Sequence, residues 1–410
     1  MALATEPTYY SGRVDTNTVL STQRKIDIPD EIFYLEEDLT PLIWLARGGD
    51  MGQGKVKLKQ KVAHNPEFKC LNKKPHGNWA SVAAETNSVT TVVTLTETPT
   101  MLVANMIGVL PATGEHVLIT AYSTTTKTLT MTRGYGTTAK DTIDTDDPIY
   151  FIYRSAMEGD TTGEIKMVQP AAYTNYCGII RHPFGATNTA QASDYYGGDL
   201  MADFDKEAWI EVRKQWERKL LFSEPKEDTT GDGPRRTTGG IIYWIGQGSG
   251  TTQTNTAFNS STLRTFCRNL FRYGKSTKVA VCSPDVIDYF DMLKEGKLQF
   301  KPSELAYNVK CAEYETSHGL LLLVRNPMLE FSPYGTTTDG YGGTILGLDV
   351  DDIRLRHLKG RDIKLNKGPN GQGIQANDAD KVLWEYIGEI GLQVFNAEKH
   401  RHWYGITGIA

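Results

Sequence analysis

The chain has 410 residues, 39% hydrophobic and 23% charged, with a formal net charge of −5. These values describe a globular protein with room for two or three domains. They argue against a dedicated nucleic-acid binder, which carries a strong basic excess, though not against a surface that merely encloses nucleic acid.

No stretch reaches the ~18 consecutive apolar residues of a membrane span. The start, MALATEPTYYSGR, has neither the basic nor the apolar region of a signal peptide. Cys70, Cys177, Cys267, Cys282 and Cys311 form no CxxC pair and no zinc spacing, so they read as buried reduced thiols in a cytoplasmically made protein.

Residues 1–50 carry little periodicity and read as an extended arm. Within it TPLIWLARGG either anchors the arm to a body or forms a short helix ended by Gly48 and Gly49. Residues 55–62, KVKLKQKV, alternate strictly, which predicts a strand with Val56, Leu58 and Val62 on one face. Lys55, Lys57, Lys59 and Lys61 then share the other face. That lysine row is either a solvated edge guarded against aggregation or a basic surface lying on an acidic neighbouring subunit, with phosphate binding a third option.

From 88 to 155 threonine, valine and turn residues dominate, and TTVVTLTE, EHVLITAYS, KTLTMTRG and PIYFIYR are predicted strands. Four or five such strands make a compact inserted β module. Between 156 and 200, YCGIIRHPF is a predicted return strand. A long helix follows, with Phe204, Ala208, Trp209, Val212, Trp216 and Leu220 as its apolar stripe and Asp203 as its cap. Glu211, Arg213, Lys214, Glu217 and Arg218 are expected to cover its other side.

A further helix carries Leu263, Phe266, Cys267, Leu270 and Phe271 on one face and ends at Gly274. KVAVC reads as a buried strand. SPDVIDYFDMLKEGK reads as a helix with Ser283 as cap and Gly296 past its end. LLLLV, TILGLDVDDIRLRHL and WEYIGEIGLQVFN complete the chain as strands, with Ile390, Leu392 and Val394 sharing a face. The fold class is α+β.

The search for chemistry returns no catalytic, cofactor-binding or metal site, and the chain reads as no enzyme. RGYGTTAK lacks the spacing of a phosphate-binding loop and is not followed by an amphipathic helix. Gly134 and Gly136 there are expected to supply positive φ for a turn, with Lys140 in solvent. His400 and His402 fall on one side of a strand but lack a third ligand nearby. The Asp144/Asp146/Asp147 and Asp349/Asp351/Asp352 clusters do not fit a calcium-binding loop. Ser283 lacks the G-x-S-x-G elbow of a hydrolase.

The order of parts resembles the major capsid proteins of tailed double-stranded DNA bacteriophages, the HK-ninety-seven-type capsid fold. YCGIIRHPFGATNTAQA, RRTTGGIIYWI, CSPDVIDYF, VRNPML and GEIGLQVFNAEKH further resemble the short-tailed-phage major head proteins. LTMTRGYGTTA is similar to a segment of their inserted β module.

The resemblance implies an N-terminal arm over 1–50 and extended-loop strands over 51–87 and 156–195, with the inserted β-barrel-like module over 88–155. It places the spine helix and part of a peripheral domain over 196–254, an axial domain over 255–345, and return strands completing the peripheral domain over 346–410. It implies a shell protein that self-assembles into pentamers and hexamers of an icosahedral head. That head would enclose double-stranded DNA without sequence-specific binding, and the protein would be found in the virion after synthesis in the bacterial cytoplasm. The implied partners are further copies, a separate scaffolding protein, a portal and decoration proteins, with no membrane. It raises the weight of the subunit-contact reading for Lys55, Lys57, Lys59 and Lys61. An encapsulin-type compartment and a tail-associated carbohydrate-binding β protein are the alternatives.

Overall fold

A computed structural model describes residues 40–47, 58–75, 77–100, 102–160, 166–193, 198–297, 301–302, 311–330, 341–376 and 378–409. The chain forms two compact units, residues 1–68 with 175–410, and residues 69–174.

The first unit is built on a 23-residue helix, Leu200–Phe222. In chain order its main helices are α1 (Pro41–Arg47), α2 (Leu200–Phe222), α3 (Ile241–Gly246), α4 (Ser260–Leu270) and α5 (Pro284–Lys297). Its main strands are β1 (Lys59–Ala63), β2 (Gly178–Thr187), β3 (Thr277–Cys282), β4 (Cys311–Thr316), β5 (Gly319–Arg325), β6 (Ile345–Leu348), β7 (Ile353–Leu358) and β8 (Lys381–Val394).

At roughly 1.5 Å per residue α2 is a rod of about 35 Å. Its cap is Asp199, whose side chain accepts from Met201 N at 2.9 Å. Asp203, expected to be the cap, lies one turn inside, where its charge favours the positive helix end. The apolar period becomes visible only at Phe204, so nothing in it marks Asp199 rather than Asp203 as the cap. Ala208, Val212, Trp216 and Leu220 are buried, while Phe204 and Trp209 are half-buried.

Beside α2 lies a sheet in the spatial order β1-β7-β8-β2, with Lys364–Asn366 also paired to β8. Period-two alternation puts Tyr386, Ile390, Leu392 and Val394 of β8 on one face, and all four are buried. The register Leu355↔Leu392 and Ile353↔Val394 adds the apolar residues of β7 to that face. Tyr386 packs with Ala208 and Val212, and its hydroxyl donates to Asp205 Oδ1 at 2.7 Å. Gly240 lets α3 start against the end of α2, since a Cβ there would meet Leu221 O at 2.7 Å.

A second sheet runs in the order Thr252–Gln253, Arg401–Trp403, β6, β3, β5, β4, Lys301–Pro302. Helices α4 and α5 bury Leu263, Phe266, Leu270, Val286 and Phe290 in one core with Phe258 and Trp403. Asn259 and Thr262 form a capping box at the start of α4. Gly296, expected beyond the end of α5, lies within it, at the modest cost a helix tolerates for glycine. Ser283 takes the cap position expected for it, directly before Pro284: its carbonyl accepts from Ile287 N at 3.3 Å, while its buried hydroxyl accepts from Thr344 N at 3.4 Å.

The second unit is an antiparallel sheet of six strands, ordered Trp79–Ser81, Pro148–Arg154, Met106–Leu110, Glu115–Ser123, Thr128–Thr132, Val92–Thr94. Its own core includes Val117, Ile119, Leu129, Met131 and Ile149. The unit is longer than the threonine-rich stretch 88–155, because Trp79–Ser81 closes the sheet by pairing with Pro148–Arg154. A three-residue strand with a partner some 70 residues away has too little local pattern to be read from sequence.

Candidate assembly interface

Lys59 and Lys61 lie on β1, an edge strand of the α2 sheet; Lys55 and Lys57 fall outside the described residues. Both described lysines are exposed. Leu58, just ahead of the strand, is buried, whereas Val62 is 38% exposed and does not join the covered face expected for it. The buried residue at this end of the strand is its neighbour Ala63, which alternation turns to the opposite face.

Parallel pairing sets Lys59 opposite Arg354 and Lys61 opposite Arg356. Paired residues project to the same face, so these four cations stand together. The two arginines escaped the sequence reading, although IRLRHL alternates with the required period of two. Arg356 Nε donates to Gln393 Oε1 at 2.8 Å, and the Arg354 guanidinium lies 4.8 Å from the centre of the Phe395 ring. Lys59 Nζ is 3.0 Å from Asp351 Oδ1, and Lys275 pairs with the other oxygen of the same carboxylate. The hydrogen bond from Lys275, reinforced by Lys59, holds the Asp351 carboxyl below its ordinary range. One carboxylate thus serves two lysines, leaving the surface basic.

Helix α1 runs beside this edge: Leu58 N donates to Leu45 O at 3.0 Å, and Gln60 Nε2 donates to Ala46 O. It is fixed by Glu217 of α2, which accepts from Leu42 N at 3.0 Å, Ile43 N at 3.1 Å and Asn326 Nδ2 at 2.8 Å. Burial pushes the Glu217 carboxyl up to about 7, against the opposing pull of these three donors. Glu217 and Lys214 were expected on the solvated side of the helix, and both are buried. Helix α2 is therefore covered on more than one side, and the second covering segments come from distant parts of the chain.

In the second unit RGYGTTAK has a structural role. Arg133 and Glu115 are both buried and joined in a two-pronged pair, Nε to Oε1 at 2.8 Å and Nη2 to Oε2 at 2.6 Å. Gly134 N also donates to Glu115 Oε1 at 2.8 Å, and Arg133 Nη1 to Asn87 O at 3.2 Å. Burial alone would raise the Glu115 carboxyl, but Arg133 and the Gly134 N–H hold it below its ordinary value. Gly134 has φ +63°. Gly136 does not share that positive φ; it packs on His116, where an added Cβ would meet the His116 Cβ at 3.2 Å. Lys140 is exposed.

His400 and His402 do not act as a pair. Asp349 N donates to His400 Nδ1 at 3.1 Å, and burial pushes His400 down to about 4. His402 lies against Tyr404, with ring centres 4.9 Å apart. Among the described residues no three of His, Cys, Asp or Glu are grouped to hold a metal ion.

Comparison with known proteins sets these features in a family. Among solved structures, the capsid of a native GTA particle matches with a TM-score of 0.53 at 8% identity, covering 97% of this chain and 100% of that one. The capsid of an empty GTA particle matches with a TM-score of 0.50 at 8% identity, over 96% of this chain and 100% of that one. The SrpI encapsulin of Synechococcus elongatus PCC 7942 matches 59% of this chain and 78% of its own length, at 9% identity and a TM-score of 0.42. No curated protein matches the sequence. The fold is thus the capsid fold expected from the order of parts. The family model of the SU10 major capsid protein matches residues 13–407, nearly the whole chain, and the chain belongs to that family.

Proposed function

We propose that this major capsid protein assembles as pentamers and hexamers of an icosahedral phage head around packaged double-stranded DNA. Its role in the virion is structural, and its principal partner is itself. The observation that carries the reading is the family match over residues 13–407, with a fold shared along 97% of the chain with a capsid. In this reading residues 1–50 are the arm, 51–87 and 156–195 the extended loop, and 88–155 the inserted module. Residues 196–254 and 346–410 build the peripheral domain, and 255–345 the axial domain.

The basic edge formed by Lys59, Lys61, Arg354 and Arg356 is a contact with a neighbouring copy, reached through the extended loop. A scaffolding protein, a portal and decoration proteins complete the assembly, which is built in the host cytoplasm. The net charge of −5 supports a container that encloses DNA without gripping it, since tight phosphate binding needs many cations.

The test is negative-stain microscopy and sedimentation of the purified protein, alone and with scaffolding supplied. Capsomers or closed shells are expected. A folded monomer that assembles under neither condition would refute the reading.

A further inference from the structure

A cleft of about 510 Å³ opens between α4 and the β4–β5 hairpin. Ser261 stands three and four residues before Arg264 and Thr265, and Arg268 four and three residues after them, so the four share one face of α4 and form one wall. Tyr314 and His318 stand on the other. Glu315 also borders the cleft, but strand alternation turns its side chain to the opposite face of the hairpin from Tyr314. Arg264 and Arg268 are exposed, and neither has an ion-pair or hydrogen-bond partner among the described residues. Two forked donors on adjacent helical turns, flanked by hydroxyl groups, make a receptor for carboxylates.

The same unit carries carboxylates in need of cations. Asp285 and Asp288 lie on the first turns of α5, and Glu330 lies close to them. Burial and the charge of Asp288 raise Asp285; burial and the charge of Asp285 raise Glu330, with Arg325 opposing from beyond ion-pair distance. Among the described residues these three acids have no ion-pair partner.

A ring of five or six identical subunits cannot use one self-complementary patch. Its contacts are heterologous, so each subunit needs two different faces that fit each other. We propose that the Arg264–Arg268 cleft receives the Asp285, Asp288 and Glu330 carboxylates of the adjacent copy in the capsomer ring. The inference rests on the shell reading and names a contact within it. Charge complementarity selects a second copy as the occupant: this chain presents both the unpaired arginines, on α4, and the unpaired acids, on and beside α5, and the two helices pack into one core.

The experiment uses the full chain in four forms: wild type, R264E/R268E, D285K/D288K/E330K, and all five changes together. Circular dichroism and thermal melting verify folding, and sedimentation with microscopy gives the assembled fraction. Each partial reversal sets like charges against each other and is expected to lower that fraction about ten-fold or more. The five-change chain is expected to recover most of the wild-type fraction, because the contact re-forms with inverted polarity.

Partial reversals that assemble like wild type overturn the proposal. So does a folded five-change chain that fails to recover. Loss of assembly in R264E/R268E alone, with D285K/D288K/E330K normal, would give the cleft to another anion and also overturn it. Should a reversal impair folding, the neutral pair Arg264→Gln and Arg268→Gln replaces it, with the salt dependence of assembly as the readout. A slope equal to wild type would then count against the contact. Wild-type protein that never assembles sinks the shell reading itself, and that outcome is separate from all the others.

Discussion

Glu217 shows how one buried side chain ties distant segments together. Its carboxyl joins α2 to the start of α1, 175 residues away, and to Asn326. Removing it in Glu217→Ala strands three buried donors, and about 2–4 kcal/mol of stability should be lost. Its titration adds a pH signature. The folded value, about 7, lies above the ordinary 4.5, so between these values the folded state holds the extra proton. This contribution is complete below the unfolded value and disappears as pH rises through about 7, an effect of roughly 3 kcal/mol. Urea unfolding of the unassembled subunit at pH 5 and pH 8 should therefore give a smaller gap for Glu217→Gln than for wild type. Equal gaps would mean that Glu217 titrates normally. Nothing in the sequence marks this residue, because helical period assigns it to the side opposite the apolar stripe. Arg133 is hidden for a similar reason: an arginine beside a glycine turn reads as surface, and only the fold reveals Glu115 at its end.

At the scale of elements, local pattern and long-range pairing separate cleanly. The apolar period locates α2, and alternation locates the face of β8 that carries Ile390, Leu392 and Val394, since both signals lie within one element. The pairing of β1 with β7 was not legible. It joins Lys59 to Arg354, and no feature of either strand encodes the register with the other. That pairing gives the lysine edge its meaning, because it turns a lysine row into a four-cation surface. Lys59→Glu with Lys61→Glu should then abolish assembly while leaving the monomer folded, since both side chains are exposed and substitutions at such sites change stability little. Sedimentation reports the first outcome and thermal melting the second. Normal particles from the double variant would remove β1 from the subunit contacts.

At the scale of the molecule, the two units own separate cores. The cluster around Val117, Ile119 and Leu129 lies wholly within residues 69–174, and the clusters around Phe258 and Tyr386 lie wholly outside it. Among the described residues the core of the smaller unit shares no residue with the clusters of the larger one, which predicts two unfolding transitions in the unassembled subunit, one per unit, because cooperativity follows the packing that must be lost together. Arg133→Ala would leave Glu115 as an uncompensated buried charge, costing about 3–5 kcal/mol. It should lower only the transition of the smaller unit. Trp216→Ala would empty a fully buried site on α2, costing about 3–5 kcal/mol, and should lower only the other transition. In the double variant the two shifts should add, since sites in separate cores share no partners. Scanning calorimetry of the four proteins decides the matter: a single transition moved by either change would mean that both units melt as one.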